Sequence, residues 1–161
     1  MFPEILTEAR SLVLKRINGL INAETKVSDS MLYTLTAESK MIRSALLIAA
    51  SKKNAALTKS SAINLATSIE LLHSYSLIHD DLPSMDNDNI RRGIDSNHIK
   101  YGEAIAILSG DALQTLAFEV ITNDLNLESD LKVSAISLLT DACGHKGMVP
   151  VSYTHLTLPT S

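Results

Sequence analysis

The sequence predicts an all-α fold, a helical bundle, on three observations. Apolar residues recur at three-and-four spacing through most of the chain, no stretch shows the two-residue alternation of a half-buried strand, and the 161 residues include only 6 Gly and 4 Pro. The length is that of one domain around one core. With 45% hydrophobic and 20% charged residues the chain reads as globular. A formal net charge of -4 argues against nucleic-acid binding through a basic surface, so any anion must be met by a local cluster. The single Cys143 cannot form an internal disulfide, and the start Met1-Phe2-Pro3-Glu4 lacks the basic n-region of a secretory signal, which points to a reducing cytoplasm. Arg43 and Lys52 bracket the apolar run Ala45 to Ala50, so no membrane span is expected.

Each element follows from its spacing. Ile5, Leu6, Ala9, Leu12, Val13, Ile17 and Leu20 form the apolar stripe of a first helix, running to about Asn22. A polar connector, Ala23 to Ser28, leads to Asp29 as N-cap of a second helix carrying Leu32, Leu35, Met41, Ala45, Ile48 and Ala49. Ser60 or Ser61 caps a third, whose Ile63, Leu65, Ala66, Ile69, Leu72, Leu77 and Ile78 continue until Pro83 removes a backbone donor and disfavours helix at Leu82. Residues 84 to 100 are polar and contain Gly93, and Ala104–Thr122 and Ser129–Ala142 supply two further helices. The expectation is five or so helices, with the richest chemistry where the third one ends.

That end reads Asp80-Asp81-Leu82-Pro83-Ser84-Met85-Asp86. A helix turns about 100° per residue, so an unbroken one separates Asp80 from Asp86. If Leu82-Pro83 bulge out as two extra residues, Asp86 returns to the place of an i+4 partner, and Asp80, Asp81 and Asp86 face one cavity. Oxygen donors in this number suit Mg²⁺, which binds a few carboxylates and completes its shell with water and substrate phosphate. A solvated acidic turn is the competing reading, and the neighbours decide against it. Arg91 and Arg92 follow closely, with guanidinium forks that match phosphate oxygens. His73 precedes Asp80 by nearly two helical turns and so projects from the same stripe, toward the same cavity. Lys40 and Arg43 share a helix face. An EF-hand loop starting at Asp86 is excluded, because Ile90, Arg91 and Asn97 occupy its fifth, sixth and twelfth positions.

The segment HSYSLIHDDLPSMDNDNIRRG, followed by NHIKYGEAIAILSGDALQTLAFE, resembles the bacterial-type trans-prenyl diphosphate synthases, the farnesyl and geranylgeranyl diphosphate synthase family. The resemblance covers residues 1–149 and is strongest from His73 to Glu119. It implies the isoprenoid synthase type of helical bundle, truncated to roughly its N-terminal half. By the same resemblance Asp80, Asp81 and Asp86 are catalytic metal ligands for Mg²⁺, Arg91 contacts the allylic diphosphate, and Lys40, Arg43, His73 and Arg92 hold isopentenyl diphosphate. Tyr75 matches the position of an aromatic floor that limits product length, which favours farnesyl diphosphate. The implied reaction is ionisation of an allylic diphosphate and attack of the electrophile on isopentenyl diphosphate, in a cytoplasmic enzyme that forms homodimers.

Two departures stand against this pattern. The family reads GGKRLRP where this chain has Glu38-Ser39-Lys40-Met41-Ile42-Arg43-Ser44, so Lys40 and Arg43 remain while both glycines and the proline are replaced. After Gly147-Met148-Val149 the family continues into a second half with a second aspartate-rich motif. Here Val151 to Thr160 resemble a translated sequencing-library adapter instead, so residues 150–161 are expected to be a non-native tail. A chain with half of the metal cage is expected to be inactive alone. The alternative is a non-catalytic helical protein of the same fold that binds diphosphate or pairs with a catalytic subunit. A terpene cyclase also carries an aspartate-rich motif, but the paired arginines and Lys40/Arg43 point to a second diphosphate substrate.

Overall fold

In the computed structural model, which describes residues 2–156, the helical periodicity resolves into more and shorter elements than the spacing predicts. Helix α1, Phe2–Asn18, buries Ala9, Val13 and Ile17, one stripe at i, i+4, i+8, and ends before the expected Asn22. The next start is set by Thr25 rather than Asp29. Thr25 and Ser28 form a reciprocal capping box, with the Ser28 amide donating to Thr25 Oγ1 at 3.1 Å and the Thr25 amide to Ser28 Oγ at 3.0 Å. Asp29 lies inside the first turn of α2, Lys26–Thr36.

The single second helix of the sequence reading is two. Helix α3, Ile42–Ser51, is separated from α2 by residues 37–41, where Ala37 is extended and Met41 sits in the left-handed region at φ 43°. The apolar pattern had marked this break. Leu35 and Met41 are six apart, and the polar Glu38, Ser39 and Lys40 fill the gap.

Helix α4, Lys59–Asp80, is capped by Thr58, whose Oγ1 accepts the Ser61 amide at 3.1 Å, two or three residues before the expected Ser60 or Ser61 cap. It is the central helix and buries Ala62, Ala66, Leu71, Leu72 and Ile78. Its main partner is α6, Glu103–Thr122, on which Ala106, Ser109, Gly110 and Ala117 are also buried. Small residues let the two backbones approach closely enough for Ser68 Oγ to donate to the Ala117 carbonyl at 2.7 Å. Helix α6 is long and apolar enough to cross a membrane by length and composition alone, yet its packing on α4 is that of a core helix.

Between α4 and α6 the predicted polar loop contains structure. Strands β1, Ile90–Arg91, and β2, Ile94–Asp95, pair antiparallel with Arg91 opposite Ile94. Arg92 and Gly93 turn the hairpin with φ of 55° and 78°, as a two-residue type I′ turn requires. Helix α5, Asn97–Tyr101, follows and is pinned to α2 by a buried network. Asn97 Nδ2 donates to the Ser30 carbonyl at 3.0 Å and Thr34 Oγ1 at 2.9 Å, while Ser30 Oγ donates to Asn97 Oδ1 at 2.8 Å. Helices α7, Ser129–Cys143, and α8, Met148–Leu156, complete the described residues. Residues 157–161 of the adapter-like segment lie outside them.

Candidate functional site

Four cationic or basic side chains from four elements meet at one cavity of about 510 Å³. Lys40 comes from the connector before α3, Arg43 from the first turn of α3, His73 from the middle of α4, and Arg92 from the hairpin tip. The break at Met41 and the turn at Arg92-Gly93 are what aim the first and last of these. All four of the residues expected to hold one diphosphate therefore line one space. His73 is the neutral member, because burial and the nearby charges of Arg43, Arg92 and Arg91 lower its pKa from 6.5 to about 4. Burial also lowers the Arg92 pKa from its ordinary value, against the pull of Glu70. Ser39, whose buried hydroxyl has no hydrogen-bond partner among the described residues, lines the same cavity.

Two carboxylates share this wall. Glu38, which stands where the family pattern has a glycine, is exposed and lines it. Glu70, 2% exposed, was missed by sequence reasoning, although its place one helical turn before His73 marks it as facing the same way. Burial raises the Glu70 pKa, while a hydrogen bond from Ser44 and the charges of Arg92 and Arg43 oppose that rise.

The acidic motif closes on itself through its backbone. The Asp86 amide donates to the Asp80 carbonyl at 2.9 Å, Asn87 to Leu82 at 3.1 Å and Asp88 to Asp81 at 3.2 Å, with Asn87 at φ 52°. Leu82-Pro83 does lie in a loop that returns the chain, as expected. The three side chains nevertheless do not face one cavity, and this corrects the geometric expectation. Asp81 is buried and held bidentately by Arg91, whose Nε lies 3.0 Å from Oδ1 and 3.2 Å from Oδ2, with Nη2 also on Oδ1. Asp88 Oδ2 stands 3.5 Å from the same guanidinium. Burial pushes the Asp81 carboxyl up and Arg91 pulls it back, while Asp81 raises the Arg91 pKa. Among the described residues no three His, Cys, Asp or Glu side chains group as a metal site.

Asp80 instead lines a second cavity, of about 480 Å³, with Tyr75, His79, Leu82, Met85, Ile107, Met148 and Val149. His73 is not on it. A stripe computed on ideal helix geometry joins His73 to Asp80, but the hairpin and the α2–α3 connector wall off the His73 side, whereas α6 and α8 wall off the Asp80 side. Tyr75, which ideal geometry points well away from Asp80, shares this cavity and packs edge-on against His79 with centroids 5.2 Å apart. His79 in turn lies over Gly110, where an added Cβ would come 2.2 Å from Nε2. On α8, Ser152 Oγ donates to Asp80 Oδ1 at 2.9 Å.

Comparison with known proteins adds a second line. Residues 24–146 match the family model described as polyprenyl synthetase. The chain is 37% identical over 145 residues to a farnesyl diphosphate synthase of Haemophilus influenzae, covering 90% of this chain and 49% of that protein. It is 42% identical over 147 residues to a geranylgeranyl diphosphate synthase of Cyanophora paradoxa, covering 89% and 49%. A crystal structure of a geranyltransferase from Legionella pneumophila superposes with a TM-score of 0.83 at 34% identity, covering 98% of this chain and 57% of that one. The chain thus spans about half the length of the curated relatives it matches.

Proposed function

This chain belongs to the polyprenyl synthetase family, and from that premise we propose that the whole protein is a trans-prenyltransferase. It condenses dimethylallyl or geranyl diphosphate with isopentenyl diphosphate to a short-chain product, farnesyl diphosphate in this reading. The observation that carries the proposal is the gathering of Lys40, Arg43, His73 and Arg92 at one cavity. Three fixed cations and a neutral imidazole suit a diphosphate, since His73 can donate a hydrogen bond without adding charge.

The acids suit magnesium by chemistry, being hard oxygen donors, and the Asp86-to-Asp80 backbone bond brings two of them to one turn. Asp80 and Asp86 would hold the ion, with Asp81 in support once Arg91 turns to phosphate. When bound it would neutralise the diphosphate that leaves the allylic substrate. The chain's own part is electrostatic and steric. Arg91 and Arg92 orient the two diphosphates, and the apolar wall of Leu82, Met85, Ile107 and Val149 keeps water from the reacting carbon. Tyr75 stands on that wall as the residue proposed to limit product length. A homodimer is part of the same reading.

A non-catalytic, diphosphate-binding partner subunit is the second reading. It draws on the engagement of Asp81 by Arg91. A radiolabelled-product assay separates the two. This chain is expected to give no product, because half of the relatives' length is missing. A protein extended to that length should condense the two diphosphates and lose about a hundredfold to a thousandfold in rate with Asp80→Ala, the scale of removing one charge-stabilising group. Undiminished turnover by that variant would rule out the metal role, and an inactive extended protein would favour the partner subunit.

A further inference from the structure

Ser44 stands where the family pattern has a proline, so its hydroxyl is a feature of this chain. It is fully buried in the first turn of α3, beside Arg43. Its Oγ lies 3.0 Å from the Ala66 carbonyl and 3.1 Å from Glu70 Oε2. A hydroxyl has one proton to give. The Ala66 carbonyl already accepts from its own helix ladder, and an ionised carboxylate is the stronger acceptor, so the proton belongs on Glu70.

Glu70 forms the back wall of the cation-lined cavity and feels the charges of both Arg92 and Arg43. Yet among the described residues no hydrogen bond or ion pair joins it to either one; its side-chain bond runs to Ser44. An ionised carboxylate has about four acceptor sites on two oxygens, and the Ser44 bond takes one on Oε2 and so fixes the direction in which the group points. A pair with either guanidinium would occupy the forks that an incoming anion needs. We propose that Ser44 is a positioning residue that holds the Glu70 carboxylate off Arg43 and Arg92, leaving both guanidiniums to a diphosphate. The role rests on reading this cavity as a diphosphate site, and the hydroxyl acts through Glu70 rather than by touching the ligand.

The test uses this chain and inorganic pyrophosphate, without metal, in titration calorimetry. Ser44→Ala is expected to weaken binding about fivefold, the worth of one net hydrogen bond, as Glu70 swings onto the arginines. Glu70→Gln should strengthen binding, since it removes a negative charge from the wall. The double variant S44A/E70Q should match E70Q within about twofold, because the carboxylate that needed restraint is gone. A hydroxyl that merely docks α3 on α4 gives a different result: S44A/E70Q would then fall below E70Q by the same factor as S44A falls below the parent, which overturns the proposal. An independent readout is the NMR signal of the Arg43 and Arg92 Nε–H groups. It should move in S44A and return in S44A/E70Q, and a signal unmoved in S44A sinks the restraint. If the signals move but no variant binds pyrophosphate, the restraint stands and the diphosphate reading of the cavity falls.

Discussion

His73 is an imidazole kept neutral, and that choice has a consequence for stability. Its pKa in the folded chain, about 4, lies below the ordinary 6.5. Between those values the unfolded chain holds a proton that the folded chain refuses, so stability falls as pH drops through the window and is unaffected by this group above it. Glu70 and Asp81 have raised values and so act with the opposite sign at the acid end. The comparison of parent with His73→Gln isolates the histidine. The urea midpoint of the parent should drop more steeply from pH 7 to pH 4.5 than that of the variant, and parallel curves would show that His73 is not held neutral. The same neutrality lets Lys40, Arg43 and Arg92 share the cavity without a fourth positive charge.

At the scale of elements, the contact between α4 and α6 sets the second cavity. Gly110 is buried on α6 directly under the His79 ring, and His79 Nε2 lies 3.1 Å from the Ile107 carbonyl while its ring meets Tyr75 edge-on. A Cβ at this position must displace the ring. Gly110→Ala is therefore expected to gain less than the roughly 1 kcal/mol that the higher helix propensity of alanine gives, or to destabilise slightly, because the partly exposed ring has to turn aside. The ring's movement would also shift Tyr75, so in a protein of the relatives' full length the ratio of product lengths should change along with stability. Thermal denaturation and product chromatography check the two effects. A melting temperature raised by the full propensity gain would mean that His79 swings aside at no cost.

For the molecule as a whole, α7 is thinly covered: none of its residues is buried, Val133 is 67% and Leu138 71% exposed, and nearby Leu125 is 96% exposed. Relatives of about twice the length have further chain, and α7 meets the core only through partly buried side chains such as Leu139 and Cys143, leaving apolar surface open. The chain by itself should bind an apolar dye such as ANS and associate as concentration rises. Val133→Lys with Leu138→Lys should reduce both signals while leaving the far-UV helical spectrum intact. Sedimentation velocity of the parent and the double variant checks this, and a monomeric, dye-free parent would show that α7 needs no cover.

The sequence by itself determined the helical class, the family, and the break after Asp80, because apolar spacing, acid spacing and the donor missing at Pro83 are local properties of the chain. It also marked Lys40, Arg43, His73 and Arg92, whose meeting the structure then placed at one cavity. Only the tertiary structure decided which side of α4 each residue serves. His73 and Asp80 lie on one ideal stripe, yet neighbouring elements partition the space in front of them. Asp81 carries the same carboxylate as Asp80, yet burial against the hairpin commits it to Arg91. Glu70 and Ser44 acquire meaning only when α3 packs on α4, since a hydrogen bond between residues 26 apart leaves no local pattern in the sequence.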